Sequence, residues 1–204
     1  MAKLDIGGYF SDHFSRHLKY YLLLSVFAVL GIVLGIVSAN NLSGFLTQDK
    51  IKLIFFKSIY IDVNFFAAFF GNTLIMLVLY GVIVLVNISI FLLPLGFILI
   101  VYRGYLAGFS AVAIIKIYGG GGVVNLIFIF MPFQVMLMFF LIGAMAICMR
   151  RLINNLHAGA FCFYNVEYGA MFRELITFFA IFAAVNFLLS IICMIITKAF
   201  IVSI

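Results

Sequence analysis

The sequence predicts an all-α fold, a polytopic transmembrane helix bundle of about five spans. Apolar residues make up 68% of the chain and charged residues 9%, and the mean hydropathy is +1.35. Soluble domains are about half apolar and a quarter charged. Segments such as 22–37 are apolar on nearly every face, whereas strands of a membrane barrel alternate over about ten residues. At roughly 20 residues per span, the chain has room for about four to six helices.

The first element is a polar N-terminal tail, residues 1–19, followed by a span at about 18–39. The apolar run 20–37 is longer than the roughly 7 to 15 residues of a signal-peptide core, so we predict an uncleaved anchor, with a cleaved signal peptide as the alternative. The net charge of +6 is expected to set the orientation in the membrane and to favour contact with anionic lipids. We therefore expect the lipid bilayer as a partner and no nucleic acid.

Asn, Ser and Gly in the segment 40–44 end the first span, because these residues favour turns. A predicted outer loop covers 40–64. Within it, lysines alternate with apolar residues that share one helical face at i, i+3 and i+4 spacing. This pattern suits one or two amphipathic helices lying in the membrane interface, and an ordinary loop is the alternative.

The second span has two possible ends. No charged residue lies in 65–102, so one long helix, 66–102, kinked at Pro94, is one division. The other places a turn at Asn87 and buries Arg103 within the membrane. No Asp or Glu lies between Asp62 and Glu167, and an unpaired arginine at the bilayer centre costs a few kcal/mol or more. We therefore expect Arg103 to lie at a turn, at headgroup level.

Three further spans follow, at about 104–118, 123–149 and 175–197, which completes a single transmembrane domain over 20–198. The glycine run 119–122 is predicted to be a flexible turn. The fourth span carries Pro132 and Gln134, and a semi-polar connector covers 154–174.

Five spans place the termini on opposite sides, and the basic residues favour a cytoplasmic N-terminus in the cell membrane. On that assignment seven basic residues are cytoplasmic and five are outside. The cytoplasmic group is Lys3, Arg16, Lys19, Arg103, Arg150, Arg151 and Arg173; the outer group is Lys50, Lys52, Lys57, Lys116 and Lys198.

Catalysis is not expected. The histidines, His13, His17 and His157, lie outside the predicted spans and form no HExxH motif, and intramembrane hydrolysis needs an activated nucleophile or a ligated metal. Three widely spaced cysteines form neither a disulfide framework nor a metal pattern. We expect no enzyme activity, cofactor or metal.

Small residues at four-residue spacing predict close helix packing. Gly31 with Gly35, and Gly104 with Gly108, have the GxxxG spacing, and Ala144 with Cys148 is a looser pair. Such spacing lets helix backbones approach closely, either within the chain or with a partner. Uncharged amides at Asn72, Asn87, Asn125 and Gln134 suit hydrogen bonds between helices.

The order of these segments resembles the stage II sporulation protein M family. The stretches FFGNTLIMLVLYG, LLPLGFILIVYRGYLAGFSA and MPFQ carry the likeness, over about 20–152. A proline, an apolar run, a basic-glycine pair and then small residues are its most recognisable part, matched here by Pro94, Arg103, Gly104 and Gly108.

The resemblance implies a non-enzymatic scaffold. Proteins of this family recruit and hold the peptidoglycan-degrading sporulation proteins D and P at the septal membrane during forespore engulfment. Partner contacts would then be expected on the outer loop and the glycine faces. A homo-oligomer is left open.

A small-molecule transporter, or the permease subunit of one, is the alternative function. It predicts a polar cavity that reaches the midplane near Arg103, Asn87 and Gln134, with Pro94 and Pro132 breaking helices there. A scaffold predicts that these side chains are buried in helix contacts.

Overall fold

Five long helices make up the bundle in the computed structural model, which describes residues 6–41, 65–87, 89–157 and 168–199. They are α1 Ile6–Asn41, α2 Phe65–Val86, α3 Leu93–Asn125, α4 Met131–His157 and α5 Tyr168–Ala199. Each contains a segment long and apolar enough to cross a membrane. The all-α fold class and the multi-pass membrane character are confirmed.

The predicted N-terminal tail is partly wrong, because α1 begins at Ile6. Its candidate membrane span starts at His13, so most of the tail continues the first helix. The predicted interfacial helices and nearly all of the outer loop lie outside the described residues. The connector predicted at 154–174 is shorter in the structure, since α4 extends to His157 and α5 begins at Tyr168.

The predicted second and third spans are also wrong, because α2 ends at Val86 and α3 runs through Arg103 without a break. The backbone N–H and side-chain Nδ2 of Asn87 both donate to the carbonyl of Ile83, at 3.1 and 2.8 Å, which closes the end of α2. Pro94 begins α3 instead of kinking a helix. A first-turn proline costs little, because its missing N–H would have no partner within the helix.

Helix α3 is kinked at Gly119, the first residue of the predicted turn 119–122. This residue has φ 56° and ψ −131° within the range assigned to α3, a conformation that glycine adopts without a Cβ penalty. A π-helical turn, Leu126–Phe130, precedes α4. Pro132 explains that turn. Proline has no backbone N–H to donate, and its ring crowds the carbonyl of Phe128, four residues earlier, so the regular α-helical hydrogen-bond pattern is interrupted there.

The two GxxxG pairs face each other in the contact between α1 and α3. A Cβ added at Gly31 would collide with the carbonyl oxygen of Val101, and one added at Gly35 with that of Tyr105. On the opposite helix, Gly104 and Gly108 lie against the backbones of Ala28 and Ile32. All four glycines are buried within the chain, so these faces are covered by α1 and α3 and are not open to a partner protein.

Helix α4 lies at the centre of the bundle and contacts the other four helices. Ala144 and Cys148 are completely buried in it. Gly143 lies against the ring of Phe178 and the hydroxyl of Tyr21, so small residues in α4 admit both α5 and α1. The outer surfaces are apolar, as lipid contact requires; on α1 they include Leu22, Val26, Val29, Val33 and Val37.

Candidate functional site

A polar cluster lies at the end of the bundle where α1 begins, α4 ends and α5 begins. His13 and His17 are four residues apart on α1, so they project from one helical face. Both are almost fully buried. Glu174, in the second turn of α5, reaches across to them and is partly exposed, with 22% of its side chain accessible.

One carboxylate oxygen of Glu174 joins the two histidines. Its Oε1 lies 3.2 Å from Nδ1 of His13 and 3.2 Å from Nε2 of His17. Nε2 of His13 lies 3.1 Å from the hydroxyl of Tyr21. A single set of tautomers satisfies these contacts with neutral rings: each histidine donates to the carboxylate, and Tyr21 donates to His13. The network ties the start of α1 to the start of α5.

An arginine-rich pocket of about 420 Å³ opens beside this cluster. Its side chains come from three helices, and every one of them is charged or polar: Arg16 on α1; Arg150, Arg151 and Asn154 on α4; Arg173, Glu174 and Thr177 on α5. Among the described residues of the lining, four arginines and one carboxylate give a formal charge of +3. The Glu174 carboxylate also lies 3.9 Å from Arg151.

The donor set His13, His17 and Glu174 is of a kind that can hold a transition metal, since its candidate ligand atoms lie within 4.8 Å of one another. The surroundings oppose a cation. A cation held by Glu174 would lie close to the guanidinium of Arg151, which is 3.9 Å from that carboxylate, and like charges at short range repel each other. An anion in the adjoining pocket is the better electrostatic match.

The predicted polar residues Arg103, Asn87 and Gln134 are not in this pocket. All three are buried, with at most 3% of the residue accessible. Asn87 donates to Ile83 and lies 3.2 Å from the sulfur of Met145, which joins the end of α2 to α4. Both amide atoms of Gln134 lack a hydrogen-bond partner within the described part of the chain.

Arg103 lies at membrane depth. It follows Leu93 by ten residues and precedes Lys116 by thirteen, roughly 15 and 20 Å along the axis at the α-helical rise. The prediction that it lies at a turn is wrong, because α3 is continuous there. It is enclosed by packed helices. The predicted turn rested on the cost of exposing an arginine to lipid, and burial within protein avoids that exposure.

An Arg103→Cys variant should resist a membrane-impermeant thiol reagent applied from either side of the membrane. The three native cysteines would be replaced by alanine, and the variant labelled in inside-out and right-side-out vesicles. Lys116→Cys is the matched control, because Lys116 is exposed near the other end of α3 and should be labelled from one side. Labelling of position 103 would reveal a water-filled path and contradict the enclosed position.

The sequence did not predict this site. The predicted tail includes His13 and His17, whose i, i+4 spacing indicates a shared helical face. Glu174 is separated from them by more than 150 positions, so only the topology of the bundle brings it to them. The same holds for the four arginines.

The five long apolar helices of the described chain define its class, a multi-pass integral membrane protein. No protein-family profile, curated protein or solved structure matches the chain.

Proposed function

We propose that the protein is a non-enzymatic integral membrane scaffold, with the role that its resemblance to the stage II sporulation protein M family implies. It would anchor peptidoglycan hydrolases, by resemblance the sporulation proteins D and P, at the septal membrane during engulfment. One observation supports this choice over a transporter. Arg103, Asn87 and Gln134 are buried among packed helices, and none of them lines the arginine-rich pocket.

The proposed orientation places the N-terminus in the cytoplasm of a cell membrane. Among the described residues, Arg16, Arg150, Arg151 and Arg173 lie at the end where α1 begins. Lys116 lies at the other end, where its Nζ donates to the carbonyl of Ala39 at 3.1 Å. Basic residues concentrate on the cytoplasmic side of membrane proteins. Arg103 is removed from the predicted group of seven cytoplasmic basic residues, because it lies within the membrane span of α3.

Partner contacts are proposed on the outer loop 40–64, because the glycine faces are covered within the chain. The tagged full-length protein, expressed in its native host, should co-purify with a peptidoglycan hydrolase. A variant with residues 45–61 replaced by a Gly-Ser linker of equal length should lose the hydrolase and keep its thermal stability in detergent. Failure to capture a hydrolase, or equal capture by the loop variant, would overturn the proposal.

A transporter or permease subunit is the second candidate, and it is favoured by Gln134. A buried amide with neither polar atom hydrogen bonded is costly, and a substrate group could satisfy it. Labelling at position 103 from either side would move this candidate to first place.

A further inference from the structure

We propose that the arginine-rich pocket binds a phosphate-bearing anion, and that its position favours the headgroup of an anionic phospholipid. This site is independent of the proposed scaffold function, since it lies at the opposite end of α1 from the predicted partner loop.

The charge and chemistry of the lining select an anion. Guanidinium groups present planar pairs of N–H donors that match two oxygens of a phosphate, and four of them converge here from α1, α4 and α5. Asn154 and Thr177 add uncharged hydrogen-bonding groups. Every lining side chain in the described part of the chain is charged or polar, which favours an ionic ligand over a neutral organic molecule. Its volume falls within the range of about 300–1,000 Å³ that is typical of ligand pockets.

Glu174 offsets only one of the four arginine charges, and its carboxylate is held mainly by the two histidines. Its Oε1 accepts from both His13 and His17, and its separation from Arg151, 3.9 Å, is longer than a hydrogen bond. The Nε of Arg173 donates to the carbonyl of Gly169 at 3.2 Å, which fixes that side chain near the first turn of α5. The helices thus bring the four arginines to the edge of one pocket, with Arg173 held by its own helix.

Exposed apolar side chains lie one position from two lining residues on α5, which favours a lipid as the source of the phosphate. Phe172 and Ile176 are exposed to 43% and 65%, and they directly precede Arg173 and Thr177 in the sequence. A phospholipid with its headgroup among the arginines could lay an acyl chain along these side chains. Basic pockets between transmembrane helices bind anionic headgroups in this way. A soluble phosphate would use the arginines alone.

The test measures binding to the purified full-length protein in a neutral detergent. Three probes are compared by native mass spectrometry and thermal stability: dioleoyl phosphatidylglycerol, dioleoyl phosphatidylcholine and inorganic phosphate. We expect phosphatidylglycerol to bind at least about tenfold more tightly than phosphatidylcholine, since charge-assisted hydrogen bonds dominate the difference. Equal competition by inorganic phosphate would support the phosphate site and identify a soluble source.

Variants locate the site. The double variant Arg151→Gln and Arg173→Gln should lose the preference for phosphatidylglycerol. Lys116→Gln, which removes one positive charge at the other end of the bundle, should keep it. Equal binding of all three probes by the unmodified protein would overturn the proposal, and this comparison does not depend on any variant folding. An equal loss in Lys116→Gln would also overturn it, because the attraction would then be a property of net charge.

Discussion

Replacing Gly108 by leucine is expected to separate α1 from α3 and to destabilise the bundle by about 3 kcal/mol or more. A Cβ at this position would collide with the carbonyl oxygen of Ile32 and lie 3.0 to 3.1 Å from two further backbone atoms. Backbone atoms cannot rotate aside as a side chain can, so α1 must move away as a whole. The effect would appear as a lower unfolding temperature in detergent and less monodisperse protein on size-exclusion chromatography.

Gly81→Leu is the matched control for this change. Gly81 also lies in a transmembrane helix, but it is exposed to lipid and a Cβ there meets no atom within 4 Å. We expect a change within about 0.5 kcal/mol, as for other surface substitutions. If Gly108→Leu were tolerated as well as Gly81→Leu, the contact between α1 and α3 would not be close. If Gly108→Leu kept full stability but no longer bound a partner protein, the glycines would instead form part of a partner interface.

The spans could be predicted because lipid imposes a simple requirement. Each crossing needs about 20 apolar residues with an internally hydrogen-bonded backbone, so hydropathy predicts a bundle of about five helices. The boundary near Arg103 could not be predicted in the same way. The cost of a buried charge depends on whether the residue faces lipid or protein, and this is decided by helices distant in sequence. Pro94 was ambiguous for a related reason, since proline suits both a kink and a first turn.

The site could be predicted less well than the fold. The spacing of His13 and His17 indicates a shared helical face. Their hydrogen-bond partner, Glu174, is contributed by the last helix and could not be identified from that spacing. The four arginines are separate short signals in the sequence, and they form a pocket only because α4 ends where α1 and α5 begin. The glycine pairs were a stronger signal, yet the sequence could not show that the two pairs face each other.

Glu174→Ala is the second substitution from which we expect a large effect, a loss of about 2 kcal/mol or more in the free energy of unfolding. The change removes the oxygen that accepts from His13 and His17. Both rings are buried, and a buried donor left without an acceptor costs about 1–3 kcal/mol. Water entering beside the partly exposed position would recover part of that loss. Thermal unfolding in detergent at neutral pH would measure it.

Glu174→Gln tests the hydrogen-bond acceptor at this position separately from the negative charge, because it keeps a side-chain oxygen and removes the charge. The amide oxygen can still accept from both histidines, so most of the stability should remain, and the lost attraction to Arg151 is that of a partly exposed pair, about 1 kcal/mol or less. The same variant removes the one negative charge among the described lining residues of the arginine-rich pocket, so its affinity for phosphatidylglycerol should rise. If alanine and glutamine were equally destabilising, the carboxylate charge and not the shared oxygen would hold α1 to α5. If neither variant were destabilised, the histidine network would contribute little to the bundle.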